Sequence, residues 1–206
     1  MNLTFRPATS ADTEAAIPLI YSSGPAAFDY VFKHPARGTA LDFLRHAFAD
    51  GAGEFGYHNH TIVEANGKIV GIGACFSGKE ALGFTPAAAR QILSFYGLRH
   101  MFNISRRGLQ VESVVEVPKG AIHYIAHLGV APDWRSKGIG GRLIEHFLEG
   151  GKTLGRTTAA LDVSVQNPRA QALYERLGFI VKHEKASALQ NAFAAVPSHR
   201  RMERAI

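Results

Sequence analysis

Between Ile122 and Leu154 the hydrophobic pattern changes period within one short turn. Ile122 to Val130 is an apolar run of strand character, whereas Ile139 to Leu154 places Ile139, Leu143, Ile144, Phe147 and Leu148 on one side of a helix. The connecting segment reads Ala131-Pro-Asp-Trp-Arg135-Ser-Lys-Gly138-Ile-Gly140. A strand that feeds a glycine-rich turn and then a helix aims the free N–H groups of the turn and of the first helical turn the same way. Gly138 and Gly140 permit close backbone approach and unusual φ angles, and Arg135 and Lys137 add positive charge. Such a segment is an anion cradle. Its expected ligand is a phosphate or pyrophosphate, and it ties the chain to an α/β or α+β architecture.

Other phosphate loops fit this sequence poorly. A dinucleotide fingerprint needs glycine three residues after Gly140, where Leu143 stands. Gly71-Ile-Gly73 fails in the same way, with Phe76 in the third place. Gly151-Lys152-Thr153 resembles the end of a nucleotide-triphosphate loop, but His146 occupies the position of the required first glycine.

The rest of the chain supplies the frame. Leu3 to Arg6 predicts a short strand, followed by a helix capped at Thr9 or Ser10 that Pro18 bends or ends. Tyr21 to Gly38 reads as an aromatic loop, with Gly24, Pro25, Pro35 and Gly38 as breakers. Thr39 opens a helix that Gly51 closes. His60 to Ala65 and Lys68 to Phe76 form a hairpin about Asn66-Gly67. Pro86 to Phe102 has helical composition, and Gln110 to Val117 alternates like a strand. Thr158 to Val165 is an alternating strand, and Asn167-Pro168 starts a helix that Gly178 closes. Strands are expected at Phe179 to Glu184 and His199 to Arg204. No repeat or linker divides the sequence, so residues 1–206 are expected to be one domain.

Composition narrows the function. With 46% apolar and 19% charged residues the chain is not largely disordered, and no apolar run approaches the ~20 residues of a membrane span. The N-terminus lacks the pattern of a secretory signal, and the single cysteine, Cys75, allows neither an intrachain disulfide nor a cysteine zinc site. A cytoplasmic location is expected. The net charge of +6 and pI near 9.6 favour anionic partners. Arg99, His100, Arg106 and Arg107 form one basic cluster, and His199, Arg200, Arg201 and Arg204 another. Without a recognition-helix or stacking-platform motif, a solvated face or an attraction for a polyanionic cofactor is favoured over nucleic acid.

Two motif blocks resemble the GNAT superfamily of acyl-coenzyme A-dependent N-acyltransferases. The first is Leu128-Gly-Val130-Ala-Pro132-Asp-Trp-Arg135-Ser-Lys-Gly138-Ile-Gly140; the second is Asn167-Pro-Arg-Ala170-Gln-Ala-Leu173-Tyr174-Glu-Arg-Leu-Gly178-Phe179. The opening Phe5-Arg6-Pro7-Ala8-Thr9 with Asp12, and the order of elements, look like that family too. The resemblance implies a mixed, mostly antiparallel central sheet flanked by helices. Residues 77–121 stand out as an enlarged insert before the fourth strand.

The resemblance also implies roles. Backbone groups of Leu128, Gly129 and Val130 would pair with the pantetheine arm of acetyl-coenzyme A. The N–H groups of Arg135, Ser136, Lys137, Gly138, Ile139, Gly140 and Gly141 would hold its pyrophosphate. Asn167 would steady the cofactor, and Tyr174 would sit near the sulfur. The acceptor, a primary amine on a small molecule or peptide, would attack the thioester directly in a ternary complex, and Tyr174 would protonate the departing thiolate. The same fold could instead serve as an acyl-coenzyme A-binding regulatory module without turnover. Neither a membrane nor nucleic acid is an expected partner; a homodimer is the assembly considered.

Each candidate has a plainer reading. Tyr174 lies on the apolar face of its helix and could be a core aromatic; Asn167 is a helix cap whatever else it does; Cys75 reads as a small core residue. An alkylamine of pKa ~10.4 costs about 4.6 kcal/mol to neutralise at pH 7, so some group must take its proton. His127 and Tyr124 are the candidate bases. Regular alternation would place His123 and His127 on one face and Tyr124 on the other, unless a bulge intervenes. His123/His127 and His58/His60 lack a carboxylate or cysteine to complete a metal site, so none is expected.

Overall fold

The computed structural model describes residues 2–206. Its centre is a seven-stranded sheet of order β1-β2-β3-β4-β5-β7-β6. The strands are β1 (Thr4–Pro7), β2 (His60–Ala65), β3 (Lys68–Phe76), β4 (His123–Val130), β5 (Thr158–Ser164), β6 (Ile180–Lys185) and β7 (His199–Ala205). All pairs are antiparallel except β4–β5. The Asn66-Gly67 hairpin forms as expected, and both turn residues have the positive φ that a two-residue turn matched to strand twist demands.

Helices cover both faces. Helices α1 (Thr13–Ser22), α2 (Pro25–Phe32) and α3 (Ala40–Asp50) share one core with Ile62 and Ile72. Helices α7 (Ile139–Thr153) and α8 (Pro168–Arg176) share the other with Val63, Ile125, Leu161 and Met202. Close contact between α1 and β4 depends on Gly129, where a Cβ would stand 2.2 Å from the Leu19 carbonyl oxygen. Thr39 caps α3 through a reciprocal pair with Asp42, as the sequence predicts.

Two sequence expectations are corrected and a third is narrowed. The aromatic segment after Tyr21 is not a loop throughout: Pro25 occupies the first turn of α2, where its missing N–H is harmless. Phe28, Tyr30 and Phe32 are then explained by burial in the core. Pro18 does not end α1, because the carbonyl it leaves unbonded belongs to Glu14 on the exposed face. Gln110 to Val117 is not a strand; α6 runs to Glu112 and a turn follows.

The insert is helical: α4 (Gly78–Leu82), α5 (Thr85–Tyr96) and α6 (Leu98–Glu112). Gly97, at φ 75°, separates the last two. The insert contributes Tyr96 and Ile104 to the α1–α3 core. The Tyr96 hydroxyl donates to the Phe32 carbonyl, the Tyr30 hydroxyl to Gln110 Oε1, and Arg107 to the Lys33 carbonyl. Helices α5 and α6 thus close over α2 as an added layer.

Candidate functional site

Strands β4 and β5 pair only at His123–Ala159 and Tyr124–Ala160. Beyond that point they part, and the outer edge of β4 has no strand partner among the described residues. Ala131 N–H bonds to the Val70 carbonyl, so Val130, the adjacent non-hydrogen-bonded position of the β3–β4 ladder, turns its N–H and C=O toward the open side. Arg135 Nε donates to that carbonyl at 3.1 Å, and no strand among the described residues takes the Val130 N–H.

The cradle lies at the end of this edge. Gly138 adopts the left-handed conformation (φ 80°, ψ 0°) as the residue preceding α7, and Ser136 also has positive φ. The first helical bond runs from Arg142 N–H to the Gly138 carbonyl, so the N–H groups of Ile139, Gly140 and Gly141 fall outside the ladder. Lys137 stands over the Trp134 ring, its Nζ 5.1 Å from the centroid. Free donors, a helix N-terminus and two cations are what an anion needs.

The second motif block comes to the same place. Asn167 Oδ1 accepts from Ala170 N–H and starts α8, and Arg169 donates to the Ser136 hydroxyl at 2.9 Å. Tyr174 packs with Phe179 and the α7–α8 core. Burial pushes its phenol up to about 12. Its hydroxyl has no hydrogen-bond partner among the described residues, yet it is not sealed from solvent. The core reading and the open hydroxyl are therefore both true.

The other candidates separate. Alternation fails at His127, which has φ 54° and sits at the bulge where Ile72 pairs Gly129 but Ala74 pairs Ala126. The bulge is the exception that regular alternation left open, and it parts His127 from His123. His123 Nε2 donates to the Phe147 carbonyl of α7, while His127 lies among Phe28, Phe55 and His60 on the opposite side. Its Nδ1 is 3.1 Å from His60 Nε2 and its Nε2 is 3.4 Å from Glu54 Oε1. The sequence offers His60 only as half of a His58/His60 pair and does not single out Glu54, since both come from segments distant from β4.

Tyr124 is buried and its hydroxyl donates to Asp162 Oδ2 at 2.8 Å. Burial, and then the Asp162 charge, push the phenol up, so it is a donor here rather than a base. Asp162, raised by burial to about 6 against the opposing pull of Arg201, lies 3.3 Å from the Arg201 guanidinium. Arg200 pairs with Glu184 and Arg204 donates to the Leu177 carbonyl, so most of the C-terminal basic cluster serves the fold. Cys75 Sγ is 2.8 Å from His123 Nε2, but that nitrogen carries the hydrogen given to Phe147 and cannot take the thiol proton. Burial also pushes the thiol up, which leaves it inert. The sulfur and His123 line a separate cavity of about 480 Å³ on the α7 side, together with Glu80 and His146.

Known proteins share this fold. Residues 26–179 match the acetyltransferase (GNAT) family. The [ribosomal protein bS18]-alanine N-acetyltransferase of Salmonella typhimurium is 34% identical over 73 residues, 35% of this chain and 47% of that protein. The 5-NmdU N-acetyltransferase of Pseudomonas phage PaMx11 is 35% identical over 74 residues, 36% of this chain and 49% of that protein. The matched part thus spans about half the length of these curated relatives. An N-acetyltransferase structure from Staphylococcus aureus Mu50 superposes with a TM-score of 0.67 at 16% identity, covering 98% of this chain and all of that one, which shows the shared fold. No helix among the described residues is long and apolar enough to cross a membrane.

Proposed function

The chain belongs to the acetyltransferase (GNAT) family, and from that premise we propose that it transfers an acetyl group from acetyl-coenzyme A to a primary amine, by direct attack of the amine in a complex holding both substrates. The observation that carries this reading is the parting of β4 from β5 after Tyr124–Ala160, beside the free N–H groups at the start of α7. The residues present fit the cofactor: an unpaired β4 edge for an amide-bearing arm and an open, cationic helix N-terminus for a pyrophosphate. When bound, acetyl-coenzyme A supplies an acyl group activated as a thioester.

The chain's own residues then have distinct tasks. Val130, with its neighbours Leu128 and Gly129, offers backbone groups to the arm. The segment from Arg135 to Gly141 holds the phosphates, and Arg169 fixes Ser136 within it. Asn167 sets the start of α8 and with it the position of Tyr174. Tyr174 is an acid held fully protonated at neutral pH by burial, with its hydroxyl free to donate to a departing thiolate. His127 is the base: its ring is held by its neighbours, with Nδ1 3.1 Å from His60 Nε2 and Nε2 3.4 Å from Glu54 Oε1. Relatives named for transfer to a ribosomal-protein alanine and to 5-NmdU show how widely acceptors differ among similar sequences.

Mixing the protein, acetyl-coenzyme A and a panel of amines should release free thiol in step with acetylated amine. Absence of thiol release across the panel, together with absence of coenzyme A binding by calorimetry, would overturn the proposal. Tight binding without turnover on any amine would instead identify a regulatory binding module.

A further inference from the structure

His60 on β2 is almost wholly buried, at 2% exposure. Its Nδ1 lies 2.9 Å from the Gly56 carbonyl oxygen, which can only accept, so Nδ1 carries the hydrogen. Burial, and then the neighbouring His127, lower His60 to about 3 against the opposing pull of the Gly56 carbonyl. The ring is therefore neutral at physiological pH, and its Nε2 has only a lone pair to offer. That lone pair meets His127 Nδ1 at 3.1 Å. The two rings are nearly coplanar, with 16° between planes and 5.2 Å between centroids, which is the geometry of an in-plane ring-to-ring hydrogen bond rather than of face-to-face stacking. His127 must donate through Nδ1, and its second nitrogen, Nε2, is left as the basic one.

Resting on the acetyl-transfer reading above, we propose that His60 is a positioning residue: the chain of hydrogen bonds from Gly56 through His60 fixes His127 with its hydrogen on Nδ1, so that Nε2, backed by Glu54, receives the proton of the acceptor amine. In that step an N–H bond of the acceptor ammonium breaks and its electron pair stays on nitrogen. The proton forms a bond to His127 Nε2. The acceptor loses a positive charge and the imidazole gains one. Glu54, from the segment before β2, attracts that charge; its side chain is 43% exposed and can pass the proton to water. The charged and titratable surroundings are His60 from β2, Glu54, Glu112 from α6, which burial and then Glu54 raise, and Tyr124 on β4 itself. The aromatic neighbours Phe28 and Phe55 restrain the ring, with centroids 6.3 and 5.1 Å from that of His127.

The first test needs no activity. In protein labelled with ¹⁵N-histidine, ring-nitrogen spectra from pH 5 to 8 should show His60 neutral throughout with its hydrogen on Nδ1. They should show neutral His127 with its hydrogen on Nδ1. A neutral His127 with its hydrogen on Nε2, or a His60 that titrates in this range, overturns the proposal whether or not the protein is an acetyltransferase. The second test reads kinetics. His60→Phe keeps the ring volume but removes the acceptor, so kcat should fall by about 10- to 100-fold, less than the ~10²–10⁴ for loss of a base itself, with the KM for acetyl-coenzyme A unchanged. The pH dependence of kcat/KM should shift as well. His60→Gln, whose amide oxygen can accept from Nδ1–H, should recover much of the rate. Equal losses in both variants with an unaltered pH profile would reduce His60 to a packing role.

Discussion

The Arg169 guanidinium donates to the Ser136 hydroxyl at 2.9 Å. This contact ties the start of α8 to the turn that precedes α7, two segments separated by 33 residues. Both ends of the candidate site are therefore set by one another: the turn that can hold an anion is braced by the helix that carries Tyr174. Arg169 and Ser136 are both exposed, so the contact contributes geometry more than stability.

Tyr174→Phe removes only the hydroxyl and leaves the ring packed with Phe179. If the hydroxyl protonates the leaving thiolate, the single-turnover rate should fall by about 10²–10⁴-fold while coenzyme A affinity stays the same. A wild-type single-turnover rate would show that Tyr174 serves the core alone.

Gly138→Val places a β-branched residue at φ 80° on an exposed turn with open space around the new Cβ. The strain is local, about 1–2 kcal/mol, so the turn should relax rather than the fold melt. Coenzyme A binding measured by calorimetry should weaken at least ~5-fold with little change in Tm. Unchanged affinity would mean that the phosphates do not lie on this turn.

His60 gives a stability signature of its own. Its folded-state pKa is lowered from 6.5 to about 3, so the unfolded chain binds more protons between those values. Stability from this group is complete above pH 6.5 and is lost as pH falls toward 3, by about 2 kcal/mol at pH 5. In urea unfolding, His60→Gln should lose less stability than wild type between pH 7 and pH 5. Parallel losses in the two proteins would show that His60 is not held neutral.

Asp162 acts in the opposite sense. Its folded-state pKa is raised from 3.8 to about 6 by burial, so the folded chain binds more protons in that window and its stability falls as pH rises through it. Relative to wild type, Asp162→Asn should gain up to about 3 kcal/mol between pH 4 and pH 7, whatever its offset from leaving Arg201 without its partner. A difference independent of pH would place the carboxylate pKa near its ordinary value.

Local chemistry was legible residue by residue. The Asn66-Gly67 turn, the Thr39 and Asn167 caps and the glycines after α3 and α8 fixed element ends, because each rests on contacts within a few residues. Alternation in Thr158 to Ser164 gave β5 its buried face for the same reason. Where one signal had two meanings, context decided. Pro25 can break a helix or begin one, and it begins α2 because Phe28, Val31 and Phe32 gain a core to enter. Residues 110–117 have a short alternating pattern, but Gln110 and Val111 are claimed by α6 packing on α2.

The sequence alone determined the strand–turn–helix of the candidate cradle and the helix that carries Tyr174, since both follow from the backbone preferences and apolar periods of contiguous residues; the sheet they join was implied by the resemblance of two motif blocks to a known family. Only the tertiary structure singled out His127 as the base proposed above. A one-residue bulge at His127 turns its ring to the face opposite His123, and a bulge is set by how β4 pairs with β3, not by β4 itself. Once turned, His127 meets His60 and Glu54, whose distance from it in the chain hides them from any local reading. Side-chain proton positions depend on such through-space partners, and these exist only after the sheet has closed.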